Sequence, residues 1–407
     1  MRTSEGLLAG WADPADVFER LAGGEGDAVL LEATDGTGES MLGLGGRVIP
    51  ALPDVPLAPD EAGSGPEPGW IGWITYEGEA RFLELERGLV FDPTRRRVRA
   101  FGGGPAWRRE AAAAVAGAAQ RVPAHGPSRT SAPVWRHGDA RYLEMVRACQ
   151  EAIVRGDAYV LCLTNTATVE GGVDGWAAYR RLRSASPTHH AGYLRIGGTE
   201  LVSASPERFA EVTATGVVRS RPIKGTRPRS TDPDRDDALA EELRRSDKER
   251  AENLMIVDLV RNDLSRVAEV GSVRVPRLFE VESYRSVHQL VSVVEARIAP
   301  GRTAADAIRS LFPAGSMTGA PKESAIAILA ALEAGPRGLY SGAFGRISRD
   351  GSADLAMTIR SIVVEGGRAT VGSGGGVTAL SDPVQELEEV RLKAAPLLSA
   401  LAEDGYP

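Results

Sequence analysis

The sequence predicts an α+β protein. Three observations carry that reading: the first hundred residues are β-rich, the helical stretches beyond them are long and segregated, and strands and helices do not alternate as in a regular βαβ wind. No fixed-period repeat is visible, and 407 residues suffice for one large domain or two to three smaller ones. The net charge of −7, with no basic run interleaved with aromatics, argues against a nucleic-acid partner. No apolar run reaches the roughly 18 residues a membrane span needs, and Met1 to Ala12 lacks the apolar centre of a secretory leader. Two cysteines, Cys149 and Cys162, sit in no paired motif, which fits a reduced, cytoplasmic compartment.

Taken in order, Ala28 to Glu32 and Gly69 to Tyr76 read as strands bounded by Gly and Pro turns. Leu89 to Phe91 and Val98 to Phe101 read as a hairpin around Asp92-Pro93-Thr94, and the Ala-rich Ala111 to Val122 as a helix. The polar Pro/Gly/Ser run from Pro123 to Ser131 marks a linker. The expected division is a β-rich region over 1–122 that packs on the core, a linker over 123–136, and the core over 137–402. In that core Asp139 to Arg155 is a helix with Tyr142, Met145, Val146, Cys149 and Ile153 in helical register. Strands follow at Ala158 to Thr164, Gly192 to Ile196 and Phe209 to Thr213. Asp236 to Leu264 reads as one long helix, Ser286 to Ile298 as a strand, Thr303 to Leu311 and Lys322 to Leu332 as helices. Ser341 to Val371 supplies several more strands, and Asp382 to Leu401 is a closing helix.

Four features bear on chemistry. In Arg221-Pro222-Ile223-Lys224-Gly225-Thr226, Pro222 stiffens the backbone before Lys224 and Gly225 permits a close approach after it. A lysine so held could be aimed at a substrate and made nucleophilic by partial burial; read alone, the hexapeptide is more often a surface turn. Glu249 and Glu252, and again Glu386 and Glu389, lie three apart in helices, which puts each pair on one helix face. Single pairs of this kind usually line a solvated surface, but two that faced each other would offer oxygen-only ligation, which suits Mg²⁺ rather than zinc. Gly372-Ser373-Gly374-Gly375-Gly376 reads as a turn whose backbone N–H groups could hold an anion. Arg360, in the apolar strand Thr358 to Ile362, needs a partner, and a carboxylate is the natural one. The five histidines and two cysteines form no Cys/His glutaminase signature, and no Gly-x-Ser-x-Gly elbow occurs.

Together with Asp247 to Leu264, Gly315 to Lys322 (Gly-Ser-Met-Thr-Gly-Ala-Pro-Lys) and Tyr340 to Gly345, these stretches resemble the chorismate-utilising enzymes, in family order, over roughly residues 137–400. The resemblance implies layered antiparallel β-sheets carrying helices around a central cleft, the fold of anthranilate synthase large subunits. It also implies roles. Anthranilate-forming members carry alanine at position 224, whereas a lysine there marks the aminodeoxychorismate-forming branch, where it attacks the ring covalently. In the isochorismate- and salicylate-forming members a water-activating lysine stands instead at the position of Val160. Glu207 would be the general acid; Glu252 and Glu389, with Glu249 and Glu386 beside them, would hold Mg²⁺; Thr226, Tyr340, Arg360, the Gly374, Gly375 and Gly376 backbone, and Lys393 would bind substrate. Gln289 stands where the family usually has a histidine. The expected reaction is amination of chorismate, with ammonia from a separate glutamine amidotransferase subunit, toward 4-aminobenzoate and folate. An anthranilate synthase, an isochorismate or salicylate synthase, and a weakly active regulatory subunit are the alternatives.

Overall fold

The computed structural model describes residues 6–23, 26–58, 68–118, 130–284 and 287–402. Its strands gather into two sheets, of 12 and 10 strands among the described residues, and every strand pair is antiparallel. The larger sheet runs through His190–Ile196, Thr199–Ser205, Ser361–Glu365, Arg368–Val377 and Val160–Val169. The smaller one centres on Arg208–Val212, Ala353–Met357 and Ala343–Ile347, and ends at Ile223–Pro228 beside Val287–Arg297. Both sheets recruit the first hundred residues: Ala28–Glu32 pairs with His190–Ile196, and Trp70–Ile74 with Ala343–Ile347. Of the linker expected at 123–136, residues 123–129 lie outside the described residues, and Val134–Trp135 adds a short strand to Val160–Val169.

Apolar residues alternate onto both faces of these strands, so each sheet needs cover on two sides. Between the sheets Val29, Leu194 and Leu201 of one meet Ile71, Trp73 and Phe344 of the other. Outside the larger sheet, helices Pro14–Ala22, Gly104–Gly117, Gly175–Ala185 and Pro383–Leu401 close over Phe18, Trp107, Trp176, Tyr179 and Tyr193. Outside the smaller sheet, Asp247–Ser265 and Ala304–Leu311 cover Phe209, Val218 and Val294. The architecture is α+β, two antiparallel sheets face to face with helices on their outer sides. No helix among the described residues is long and apolar enough to cross a membrane.

Three local expectations are corrected. The long helix expected from Asp236 to Leu264 is two, Pro233–Arg245 and Asp247–Ser265, broken at Ser246, whose backbone is extended (ψ 107°) and whose hydroxyl accepts from the Glu249 N–H. The reason is local: Ser246-x-x-Glu249 is a helix-start pattern that outcompetes continuation. The glycine run at 372–376 is not a turn but the second half of strand Arg368–Val377. Arg360 is not in a strand; it occupies the link between Ala353–Met357 and Ser361–Glu365, in the left-handed region with φ +51°. Helices Pro14–Ala22 and Gly175–Ala185 escape a β-biased reading, although Asp13-Pro14 and Asp174 mark their starts.

The closing helix is anchored at its start by Asp382, whose carboxylate accepts from the N–H groups of Val384 (2.8 Å) and Gln385 (3.1 Å). Asp382→Ala is expected to cost about 1 kcal/mol, read as a lowered urea midpoint with an unchanged slope; an unchanged midpoint would show that neighbouring contacts alone fix this end.

Candidate active site

The site is built on the strand that carries the most glycines, Arg368–Val377. Arg368–Val377 pairs with Ser361–Glu365 only as far as Val371, opposite Ile362, but with Val160–Val169 out to Val377, opposite Leu161. From Gly372 onward one edge therefore has no strand beside it. Glycine is required there by approach. A Cβ on Gly372 would stand 2.0 Å from Cγ of Tyr340, and one on Gly375 would stand 2.9 Å from Oε2 of Glu386 and 3.7 Å from Oε1 of Glu389. At Gly376 it would meet Nζ of Lys224 at 3.7 Å. A phenol ring, two carboxylates and an ammonium thus converge on three glycines of one strand.

Lys224 arrives on Ile223–Pro228. The strand bulges between Lys224 and Thr226, where Gly225 takes φ +80° and lies against Leu243 and the Glu249 carboxyl. The Pro222 carbonyl accepts from Asn253 Nδ2 (3.2 Å) and from the Ser292 N–H (3.1 Å), which ties the turn to the acid-bearing helix and to the neighbouring strand. Glu207 follows strand Thr199–Ser205; its Oε1 accepts from the Ser316 hydroxyl at 3.0 Å, and its backbone carbonyl from the Met357 N–H at 2.9 Å. Burial pushes the Glu207 pKa up, and it stays raised against the Lys224 charge, the Ser316 hydrogen bond and Lys393.

The four glutamates come from facing helices. Burial raises Glu252, opposed by Lys224 and reinforced by Glu249 and Glu389. Glu386 is raised by burial and by Glu389, with Ser381 opposing, and its Oε2 is buried with no hydrogen-bond partner among the described residues. For Glu389 burial acts upward too, but the Lys393 ammonium at 2.6 Å outweighs it and the net shift is down. Among the described residues no cluster of three or more His, Cys, Asp or Glu side chains forms a ready-made metal cage. The donors nevertheless suit a hard divalent cation: all are oxygens, they repel one another, and one is an orphan.

Lys393 also donates to the Gly374 carbonyl at 2.8 Å, and Arg360 Nη1 donates to the Lys393 carbonyl at 3.3 Å. Burial lowers the Arg360 pKa, while Tyr340 and Glu389 oppose that shift. Lys224, Glu207, Tyr340, Arg360, Lys393, the three glycines and the four glutamates are therefore neighbours. Thr226 is the outlier, exposed, across the strand pair from Gln289 and joined to the rest only through its backbone. Ser316 is not legible in the sequence, because a serine near glycines carries no signal of the carboxyl it will meet. A cavity of about 930 Å³ between the sheets, lined by Trp73, Arg81, Arg337, Tyr340 and Gly372, reaches the back of the Tyr340 ring but not Lys224, Glu207 or the glutamates. It is not the site that the titratable groups define.

Residues 62–399 match the family described as chorismate binding enzyme. Aminodeoxychorismate synthases of Streptomyces griseus and Streptomyces pristinaespiralis are 44% and 46% identical over 83% and 82% of this chain, and 50% and 51% of their own lengths. The chain spans about half the length of these curated relatives. Anthranilate synthase component 1 of Thermus thermophilus is 45% identical over 65% of this chain and 57% of its own. Among solved structures, anthranilate synthase component I from Streptococcus pneumoniae superposes with a TM-score of 0.74 at 28% identity, covering 91% of this chain and 89% of that one. The menaquinone-specific isochorismate synthase of Escherichia coli, at 17% identity, shares the fold, with a TM-score of 0.75 over 96% and 91% of the two chains. By sequence and by architecture, this chain belongs to the chorismate-binding enzymes.

Proposed function

We propose that the chain is the chorismate-aminating component of an aminodeoxychorismate synthase, converting chorismate and ammonia to 4-amino-4-deoxychorismate and water. The observation that carries the reading is Lys224, held by a bulge and a tied proline turn against the bare glycine strand, with a proton-holding Glu207 close enough to feel its charge. Relatives named aminodeoxychorismate synthase support it.

The chemistry assigned to these residues is covalent. Lys224 Nζ bonds to the ring carbon beside the carboxylate, the ring double bonds shift, and the ring hydroxyl leaves as water with the Glu207 proton. Ammonia then adds at the vacated carbon, the double bonds return, and the bond to Lys224 breaks. Arg360 and Lys393, with the free N–H edge beyond Gly372, would hold the substrate carboxylates, and the Tyr340 ring would limit how the substrate turns. Glu252 and Glu389, aided by Glu249 and Glu386, would hold Mg²⁺, which when bound neutralises and fixes a ring carboxylate. Its ammonia is assigned to a separate glutamine amidotransferase subunit. A cytoplasmic setting is supported by both cysteines being buried free thiols. Gln289 at the family's histidine position favours an enzyme that stops at the amino-chorismate without eliminating pyruvate.

With chorismate, Mg²⁺ and an ammonium salt, the chain is expected to yield 4-amino-4-deoxychorismate on chromatography. Lys224→Ala is expected to abolish it, and mass spectrometry without ammonia should find chorismate-derived mass on the Lys224 peptide. Anthranilate as the wild-type product, or unimpaired amination by Lys224→Ala, would overturn the reading. Glu252→Gln and Glu389→Gln are each expected to raise the Mg²⁺ concentration for half-maximal rate by roughly tenfold or more; an unshifted titration removes that carboxylate from the ligand set.

Glu207 has a pH signature of its own. Its folded pKa lies above the ordinary 4.5, so its contribution to stability is fully present below that value and is lost as pH rises through the folded pKa. Glu207→Gln should therefore match the wild type near pH 4, be more stable than it near pH 7, and lose about 10²- to 10⁴-fold in rate. Equal stability curves at both pH values would show that the carboxyl is not held protonated.

A further inference from the structure

Behind the site lies a buried ion pair that the reaction itself does not use. Arg337 is 7% exposed and Glu333 3%. The guanidinium donates through Nε to Glu333 Oε2 (2.8 Å) and through Nη2 to Oε1 (2.7 Å), and it lies 4.3 Å over the Tyr76 ring. Nη1 also donates to the Met317 carbonyl at 2.6 Å and to the Ser341 hydroxyl at 3.5 Å, and Nη2 to the Cys162 carbonyl at 2.8 Å. Glu333 Oε1 in turn accepts from the Thr164 N–H at 2.9 Å.

These contacts fall at selected places. Strand Val160–Val169 is joined on its far edge by Gly319–Ala320 only at Val160 and Leu161. Beyond that point the orphan groups of Cys162 and Thr164 are satisfied by the ion pair, which takes the place of a neighbouring strand. Cys162 is the register partner of Gly376, and Thr164 that of Gly374. Met317 follows Ser316, whose hydroxyl holds Glu207. One fork of donors therefore ties the turn that carries the acid's hydrogen-bond partner to the strand that backs the glycines. A buried ion pair adds little stability over well-packed apolar side chains, so fixed geometry is the better account of its presence. Lysine could not reproduce it, because a single ammonium cannot span two carbonyls and a bidentate carboxylate in one plane.

We propose that Arg337 is a positioning residue that, acting through Met317 and Ser316, sets where Glu207 presents its proton relative to the glycine strand. The assignment rests on reading Glu207 as the general acid. The charged groups that face Glu207 are Lys224 from the bulged strand and Lys393 from the closing helix, and Arg337 is not among them. Its effect is therefore separable from a direct charge effect, and Arg337→Lys keeps the charge while removing the fork.

The test compares wild type, Arg337→Lys, Ser316→Ala and the double variant by chorismate turnover with ammonium, chorismate KM, and the Glu207 carboxyl titration by ¹³C NMR, assigned with Glu207→Gln. Arg337→Lys is expected to lower kcat by up to ~100-fold with little change in KM, the cost of a misplaced group. Glu207 should titrate higher in either single variant, since the Ser316 bond that holds it down is loosened or lost. The double variant should be no slower than the slower single one, because both act on one link. Additive losses, or a Glu207 titration like wild type in folded Arg337→Lys, overturn the proposal. If Arg337→Lys does not fold, Glu333→Gln, which slackens the fork from its other side, is put to the same criteria. A wild type inert toward chorismate would refute the functional reading alone, and the carboxyl titration would still decide the role of Arg337.

Discussion

Between Gly372 and Gly376 the glycine strand of the larger sheet carries one side chain, and that side chain, Ser373, turns its hydroxyl outward to the Val390 carbonyl. On the opposite face a tyrosine ring approaches Gly372 and the end of a lysine approaches Gly376, while on the Ser373 face two glutamates approach Gly375. Such close approach is possible only where no Cβ intervenes, and it sets the geometry of the surrounding elements. The closing helix must lie near enough to bring Glu386 over Gly375, and the bulge at Gly225 must redirect Lys224 toward Gly376. Strand glycines ordinarily weaken a sheet. Here the weakness is offset by the long pairing with Val160–Val169, which continues where the other neighbour stops.

Electrostatics then divides the groups that this geometry collects. Burial drives Glu207, Glu252 and Glu386 toward the neutral form, and the same influence acts on Glu389, yet the Lys393 contact reverses it there. Carboxyls of one type are thereby separated by their surroundings, three shifted up and one down. Glu207 stands apart from the helix-borne glutamates in one respect: the charges that shift it, those of Lys224 and Lys393, are both positive.

Much of this was legible in the chain, through particular residues. Tyr142, Met145, Val146 and Cys149 have helical spacing and are all buried on the inner side of Asp139–Val154. The three-residue spacing of the glutamates places Glu386 and Glu389 together over Gly375. Other features were hidden for physical reasons. A strand is read from side-chain alternation, and Gly372 to Gly376 have almost none to alternate, so the run reads as a turn. Arg360 looks like a strand residue because its neighbours are apolar, while its left-handed backbone is set by the sharp link between two strands. Ser316 and Arg337 act through partners more than 100 residues away, Glu207 and Cys162, and no local pattern announces a contact of that range.

The two positions singled out by the resemblance converge on a single glycine. A Cβ on Gly376 would meet Val160 Cγ2 at 3.6 Å and Lys224 Nζ at 3.7 Å. These are the two positions at which the resemblance puts a lysine, the first in water-adding members and the second in the aminating branch. A ring lying against Gly376 would thus have one methyl-bearing and one amine-bearing neighbour in this chain. Moving the amine from one position to the other would change what attacks the ring, activated water or the lysine itself, and leave the carboxylate-binding groups untouched. On this view the scaffold fixes the substrate by its carboxylates, and the choice of reaction is delegated to whichever side of one glycine carries the nitrogen. On the proposed reading valine at 160 would leave no competing base, lysine at 224 would supply the nucleophile, and the bulge at Gly225 would aim it.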